Sequence, residues 1–157
     1  MSEEFEYCVV DIETSIKNRG DEAIGNNKAS PFYPDNKACY IGYKPEDGIE
    51  STFNAQNAVG NMGPWILSHY PLLVGHNIKF DLHYLRKTYP DEYYNWVING
   101  GMVWDTQIVE YLLSGQTTKY AKLDDLSVLY GGTVKDDRIK EYWNNDIDTE
   151  DIPIDEI

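Results

Sequence analysis

The chain has 157 residues, with 27 acidic and 13 basic side chains and a net charge of −14. At 41% hydrophobic and 25% charged it is composed as a globular domain, not as a disordered or collagen-like chain, and its length suits one domain that needs no disulfide staples. The acidic excess excludes a protein that holds nucleic acid or an anionic membrane mainly by charge neutralisation, so any nucleic-acid contact is expected to be local, with metal as the favoured bridge.

The N-terminal MSEEFEY lacks the apolar run of a signal peptide, and no stretch is long enough to span a bilayer. Cys8 and Cys39 lie in apolar stretches without C-x-x-C spacing. They read as small core residues in a reducing compartment, not as zinc ligands. The expectation is a soluble cytoplasmic protein with no membrane partner.

In chain order, residues 7–12 (YCVVDI) are β-branched and apolar between charges and read as a buried central strand. Residues 15–37 have no period and hold glycines, asparagines and prolines, a loop long enough to suggest function. Strands follow at 38–44 and 50–54, joined by the turn signal PEDG, so antiparallel pairing is expected. The pattern then changes. A short helix is expected at 64–69, an apolar strand at 72–75, a helix at 80–89 ended by Pro90, and another at 92–98. A fifth strand at 102–104 leads into a helix over 105–113 capped by Asp105 or Thr106. Further helices are expected at 123–130, capped near Asp124 and stopped by Gly131-Gly132, and at 135–142. Together these predict an α/β fold: a mixed five-stranded sheet, three antiparallel strands then two parallel, flanked by helices. From residue 135 onward there are nine acidic and three basic residues, and this acidic C-terminal segment (135–157) reads as a linker.

Three pieces carry chemistry. In DIET, Asp11 and Glu13 are two apart on a strand and share a face, so their carboxylates repel each other unless a cation joins them. The alternative is a solvated strand end. In GHNIKFDLHYL (75–85) an apolar strand delivers Asn77, and Phe80 and Asp81 follow where a helix begins. Asp81 serves equally as a helix N-terminal acid and Asn77 as a turn residue. In MVWDTQIVEYLLSG (102–115), Asp105 again follows a strand and opens a helix, where capping is the stronger reading.

The run V-V-D-I-E-T, G-H-N-I-K-F-D, W-D-T-x-x-x-x-Y-L-L and K-L-D-D-L, in that order and spacing, resembles the 3′–5′ exonucleases of the DEDD superfamily, which have a ribonuclease H-like fold. It is most similar to the proofreading domain of family A, phage-type DNA polymerases, and the likeness covers nearly the whole chain. The resemblance implies hydrolysis of phosphodiesters at DNA 3′ ends with two metal ions. It implies Asp11 touching both ions, Glu13 holding one and facing the terminal 3′-hydroxyl, and Asp81 helping to hold the second. Thr14 and Asn77 would contact the last nucleotides, and Phe80 and Ile16 would pack on the terminal base or sugar. Hard oxygen ligands select Mg²⁺ or Mn²⁺. The implied partners are a single-stranded DNA 3′ end and a DNA polymerase domain, in phage or bacterial host cytoplasm.

The family's third motif, a tyrosine or histidine followed on a helix by a fourth acid, has no good match. Tyr142 and Asp146 have suitable spacing, but WNND has no apolar helix behind it. The expectation is a single 1–157 exonuclease-like domain cut before its last helix. A naturally shortened inactive relative and substitution by Tyr142 and Asp146 are the alternatives. Without the fourth acid, cleavage is expected to be weak or absent, with one metal still held by Asp11 and Asp81. Two other functions share these motifs: a ribonuclease D-like exonuclease acting on RNA 3′ ends, and an inactive module binding nucleic acid or a polymerase. His69, His76 and His83 recur every seven residues but fall on different elements, so no ligand stripe is expected. Lys17, Lys28 and Lys37 in the long loop read as solvated cations rather than phosphate contacts.

Overall fold

The computed structural model describes residues 6–18, 28–117, 120–134 and 138–157. Its five strands are β1 (Tyr7–Thr14), β2 (Ala38–Pro45), β3 (Ser51–Asn54), β4 (Leu72–Gly75) and β5 (Met102–Asp105). They lie in the order β3-β2-β1-β4-β5, with β1–β2 and β2–β3 antiparallel and β1–β4 and β4–β5 parallel. This is the ribonuclease H-like arrangement expected from the sequence. The helices are α1 (Gly63–His69), α2 (Lys79–Thr88), α3 (Pro90–Ile98), α4 (Thr106–Leu113), α5 (Leu123–Leu129) and α6 (Arg138–Asn144). Short 3₁₀ turns follow at Thr149–Asp151 and Ile154–Glu156. Among the described residues no helix is long and apolar enough to cross a membrane.

The strand β1 is central but is buried on one face only. Cys8, Val10, Ile12 and Thr14 point into the core, while Val9 and Asp11 are exposed. The cause is the placement of the helices. Ile66 and Leu67 of α1, Tyr84 and Leu85 of α2 and Trp96 of α3 all join the cluster formed by the even-numbered β1 residues, Ile41 and Leu73. The other face is open at Val9 and Asp11, whereas toward Glu13 it is covered: Tyr40, in register with Glu13, is buried and its hydroxyl meets buried Ile152. In register with Val9 are Val74 and then Trp104, and Trp104 is 50% exposed.

Three boundaries differ from the sequence reading. The strand β1 runs on to Thr14, because β2 continues to pair with it through a bulge at Glu13/Thr14. Pro90 opens α3 rather than only closing α2; with no N–H to satisfy, proline suits a first helical turn. The N-cap of α5 is Lys122, and Asp124 lies in the first turn instead. Of the expected loop over residues 15–37, the stretch 19–27 lies outside the described residues, as does 135–137 at the start of the expected last helix. Both cysteines are buried and free, and burial pushes the thiols up, Cys8 to about 11 and Cys39 to about 12. Thiols so shifted are inert core residues.

The acidic C-terminal segment does not stand off from the fold. Asp148, Thr149 and Ile152 are buried. Asp148 Oδ2 accepts the N–H of Ile16 at 3.2 Å, and the Tyr40 hydroxyl donates to the Ile152 carbonyl at 2.8 Å. Lys17 and Lys37 both pair with Glu150. The acidic run is thus spent on local cations and free N–H groups, which composition alone does not reveal.

Candidate functional site

The parallel ladder between β1 and β4 ends at Val9–Val74, five residues before β1 itself ends. From β1 the chain continues into β2 on one side of the sheet, while β4 leads to β5 on the other. Between them the carboxyl ends of two parallel strands form a crevice at a topological switch point, where open α/β sheets place their ligand sites. Asp81 and Asn77 are held at this end of the sheet.

Beyond Val9 the β1 backbone has lost its β4 neighbour, and the N–H of Ile12 donates instead to Asp81 Oδ1 at 3.0 Å. Asp81 reaches that N–H because β4 turns sharply into α2. At Gly75 a side chain would meet Ile78 at 2.9 Å, and Asn77 adopts left-handed backbone, φ 54°. Glycine and asparagine suit these two needs. The Asn77 N–H is held by Asp105 Oδ1 at 3.0 Å, and the same oxygen accepts the Gln107 N–H at 2.9 Å. Asp105 is therefore the N-cap of α4 and also the brace of the β4–α2 turn. His76 adds a second brace, bridging Thr106 Oγ1 and the Ala121 carbonyl, each at 3.0 Å. His69 lies against the Trp65 ring and His83 meets Phe32 edge-on, so the three histidines sit apart.

Asp81 is almost fully buried, and burial first, then the Asp11 charge, push its carboxyl up to about 8; Glu13 adds to the effect, and the Ile12 hydrogen bond opposes it. Two carboxylates thus act on a third that water hardly reaches, an arrangement that a cation would relieve. The donor set, hard carboxylate oxygens without thiolate or imidazole, suits Mg²⁺ or Mn²⁺. Yet among the described residues no three His, Cys, Asp or Glu side chains converge closely enough to hold a metal ion. Asp81 stays on the Ile12 N–H while Asp11 projects from the open face of β1. A shared cation would need Asp11 and Glu13 to swing toward Asp81.

The remaining expected site residues divide. Asn77 is exposed at the crevice. Phe80 is half-buried against Tyr84, with ring centroids 5.2 Å apart. Thr14 and Ile16 are buried, Thr14 pairs with Ala38 of β2, and the Ile16 N–H is taken by Asp148. Tyr142 is half-buried on α6, and Asp146 lies in the turn after it with left-handed backbone, φ 60°. The charges that act on Asp81 come from Asp11 and Glu13. Lys17 and Lys37 are committed to Glu150, which lowers the Glu150 carboxyl below its ordinary range. Sequence reasoning missed Asp148, which secures the exit of β1; a lone acid in an acidic run gives no signal of such a role. It also missed Tyr84, whose hydroxyl donates to the Ala29 carbonyl at 2.8 Å and ties the 28–37 loop to α2.

The sequence matches no protein-family model and no curated protein. Among solved structures, the chain is similar to part of the family B DNA polymerase from the hyperthermophilic archaeon Pyrobaculum calidifontis, with a TM-score of 0.55 and 17% identity. The likeness covers 90% of this chain and 21% of that one. The fold is one that a DNA polymerase contains. At this identity the likeness is one of fold, and the chain spans about a fifth of that polymerase's length. The sequence motifs pointed to family A polymerases, whereas this neighbour belongs to family B; a DNA-polymerase-like fold is common to both readings.

Proposed function

We propose that this chain is a 3′–5′ exonuclease-type domain of the DEDD kind, serving a DNA polymerase and acting on single-stranded DNA 3′ ends. The observation that carries the reading is Asp81 seated on the Ile12 N–H under the charges of Asp11 and Glu13, at the β1–β4 crevice. The DNA-polymerase-like fold supports it, and the motifs VVDIET and GHNIKFD support the family A, phage-type assignment.

Asp11, Glu13 and Asp81 would hold Mg²⁺ or Mn²⁺ ions, which when bound supply a deprotonated water near neutral pH and neutralise charge at the leaving oxygen. The chain's own residues prepare that site. The Ile12 N–H fixes one Asp81 oxygen at the end of the β1–β4 ladder. The braced turn at Asn77 sets the angle at which α2 presents Asp81. The exposed Asn77 side chain would meet the last nucleotides, and Phe80 would pack beneath the terminal sugar. With three acids and no fourth beside them among the described residues, turnover is expected to be weak.

The test is digestion of a single-stranded DNA oligonucleotide with Mn²⁺, beside EDTA and Asp11→Ala controls and an RNA oligonucleotide of the same sequence. Metal-dependent shortening of DNA that disappears in Asp11→Ala is the expected result. Faster shortening of RNA would replace the polymerase reading with an RNA 3′-end exonuclease. Absence of any metal-dependent shortening would favour a second reading, a non-hydrolytic module, for which the spread of the three carboxylates speaks.

A further inference from the structure

On the far side of α2 from Asp81, a groove of about 520 Å³ runs between α2 and α3. Its walls carry Lys79, His83 and Arg86 from α2 and Tyr93 and Tyr94 from α3, and no carboxylate lines it. That absence is informative in a chain with 27 acidic and 13 basic residues. Of the acids near in sequence, Asp81 is turned to the Ile12 N–H, Asp91 and Glu92 stand in the first turn of α3, and Glu92 faces the groove on the other side of that helix. The cations here are also unspent, unlike Lys17 and Lys37: among the described residues no carboxylate pairs with Lys79 or Arg86.

Two features suit the groove to a ligand that is at once anionic and aromatic. Lys79 and Arg86 are seven residues apart, two helical turns, so they line one side of α2 about 10 Å apart along its axis. Tyr94 is 64% exposed, and Phe32, at 77%, stands edge-on to His83 with centroids 5.0 Å apart. An exposed phenylalanine on a floppy loop would be unremarkable, but this loop is fixed. The Lys87 ammonium donates to the carbonyls of Pro31, Tyr33, Pro34 and Asn36. Buried Asn36 donates to the carbonyls of Lys28 and Ser30 and accepts the Lys17 N–H at 2.7 Å. Phe32 is therefore held ready beside the groove, with its ordering cost already met on folding.

We infer that the α2–α3 groove binds single-stranded nucleic acid, with phosphates at Lys79 and Arg86 and bases stacked on Tyr94 and Phe32. Paired cations with interleaved aromatics are the chemistry of sequence-tolerant single-strand binding. The site is separate from the acid crevice and needs no metal, so it stands or falls independently of hydrolysis.

The experiment is fluorescence anisotropy of a labelled short oligo-dT with the full chain in EDTA, over a salt series from about 50 mM upward. Circular-dichroism melts verify that each surface variant is folded. Lys79→Ala/Arg86→Ala is expected to weaken binding at least about tenfold and to flatten the log–log salt slope by about 1.4, roughly 0.7 per phosphate contact. Tyr94→Ala is expected to weaken binding about fivefold without changing that slope, because stacking releases no counterions. Lys122→Ala, an exposed cation elsewhere, is expected to change little. The inference is overturned if the folded wild type does not bind at the lowest salt, or if Lys122→Ala costs as much as the paired variant. It is also overturned if polyglutamate displaces the probe as well as unlabelled oligo-dT does, since the groove would then be a surface for acidic peptides.

Discussion

The two faces of one sheet behave differently. The face under α1, α2 and α3 is closed: Cys8, Ile41 and Leu73 are fully buried, and Tyr84 and Leu85 pack down on them. The opposite face carries Asp11 and Glu13 along a row where Val9 is 37% exposed. Both faces are built from the same strand by alternation. The lesson is that β1 serves as core and as site at once: its even residues bear the packing, and its odd residues are free to carry charge.

The sharpest way to break that comparison is to truncate one residue from each face. Leu73→Ala or Ile41→Ala is expected to cost about 3 kcal/mol or more, because the packed helices cannot collapse into the space. Val9→Ala, on the open face, is expected to cost under about 1 kcal/mol. Urea melts monitored by tryptophan fluorescence measure both, and equal losses would mean that the open face is as packed as the closed one.

Asp81 stands between the faces and sharpens the contrast through pH. Its carboxyl is raised from 3.8 to about 8, so the folded chain binds this proton more tightly than the unfolded chain does. The contribution is therefore fully favourable below about pH 4 and is lost progressively as pH rises through 8. Asp81→Asn removes the burden of a buried charge and is expected to stabilise the metal-free protein by about 3 kcal/mol at pH 8, with little effect at pH 4. It should remove any metal-dependent activity at the same time. Thermal melts of both proteins at the two pH values, in EDTA, measure the difference; a variant less stable at pH 8 would show that the Ile12 hydrogen bond outweighs the burial.

The smallest expected effect belongs to the C-terminal segment. The lowered Glu150 carboxyl stabilises the fold above the ordinary glutamate range, and that stabilisation is lost as pH falls through its folded value. Because Lys17 is 36% exposed and Lys37 40% exposed, Glu150→Gln is expected to cost only about 0.5–1 kcal/mol, less at high salt. Hydrogen exchange at the Ile16 N–H offers a local readout of the same loss.

The acid motifs were legible in the sequence for a physical reason. Strand alternation fixes Asp11 and Glu13 on one face whatever surrounds them, and an apolar strand running into Asn77 and Asp81 announces a turn and a helix start. The burial of Thr14 and Ile16 was not legible. Whether a residue just past an acid motif meets substrate or core depends on how far β2 goes on pairing, and that is set by the bulge at Glu13/Thr14. The dual work of Asp105 was half legible: capping follows from its place before α4, but its bond to the Asn77 N–H joins segments 28 residues apart.

By itself the sequence determined the five strands, most of the helices and the shared strand face of Asp11 and Glu13, because period, turn chemistry and local spacing act over a few residues. Only the tertiary structure decided what meets across the chain. It set Asp81 on the Ile12 N–H left over where β4 ends, spent the acidic C-terminal run on Ile16, Lys17 and Lys37, and aligned cations and tyrosines from α2 and α3 along one groove. Those pairings join residues far apart in sequence, and their partners exist only once the backbone has folded to leave particular N–H groups and cations without closer company.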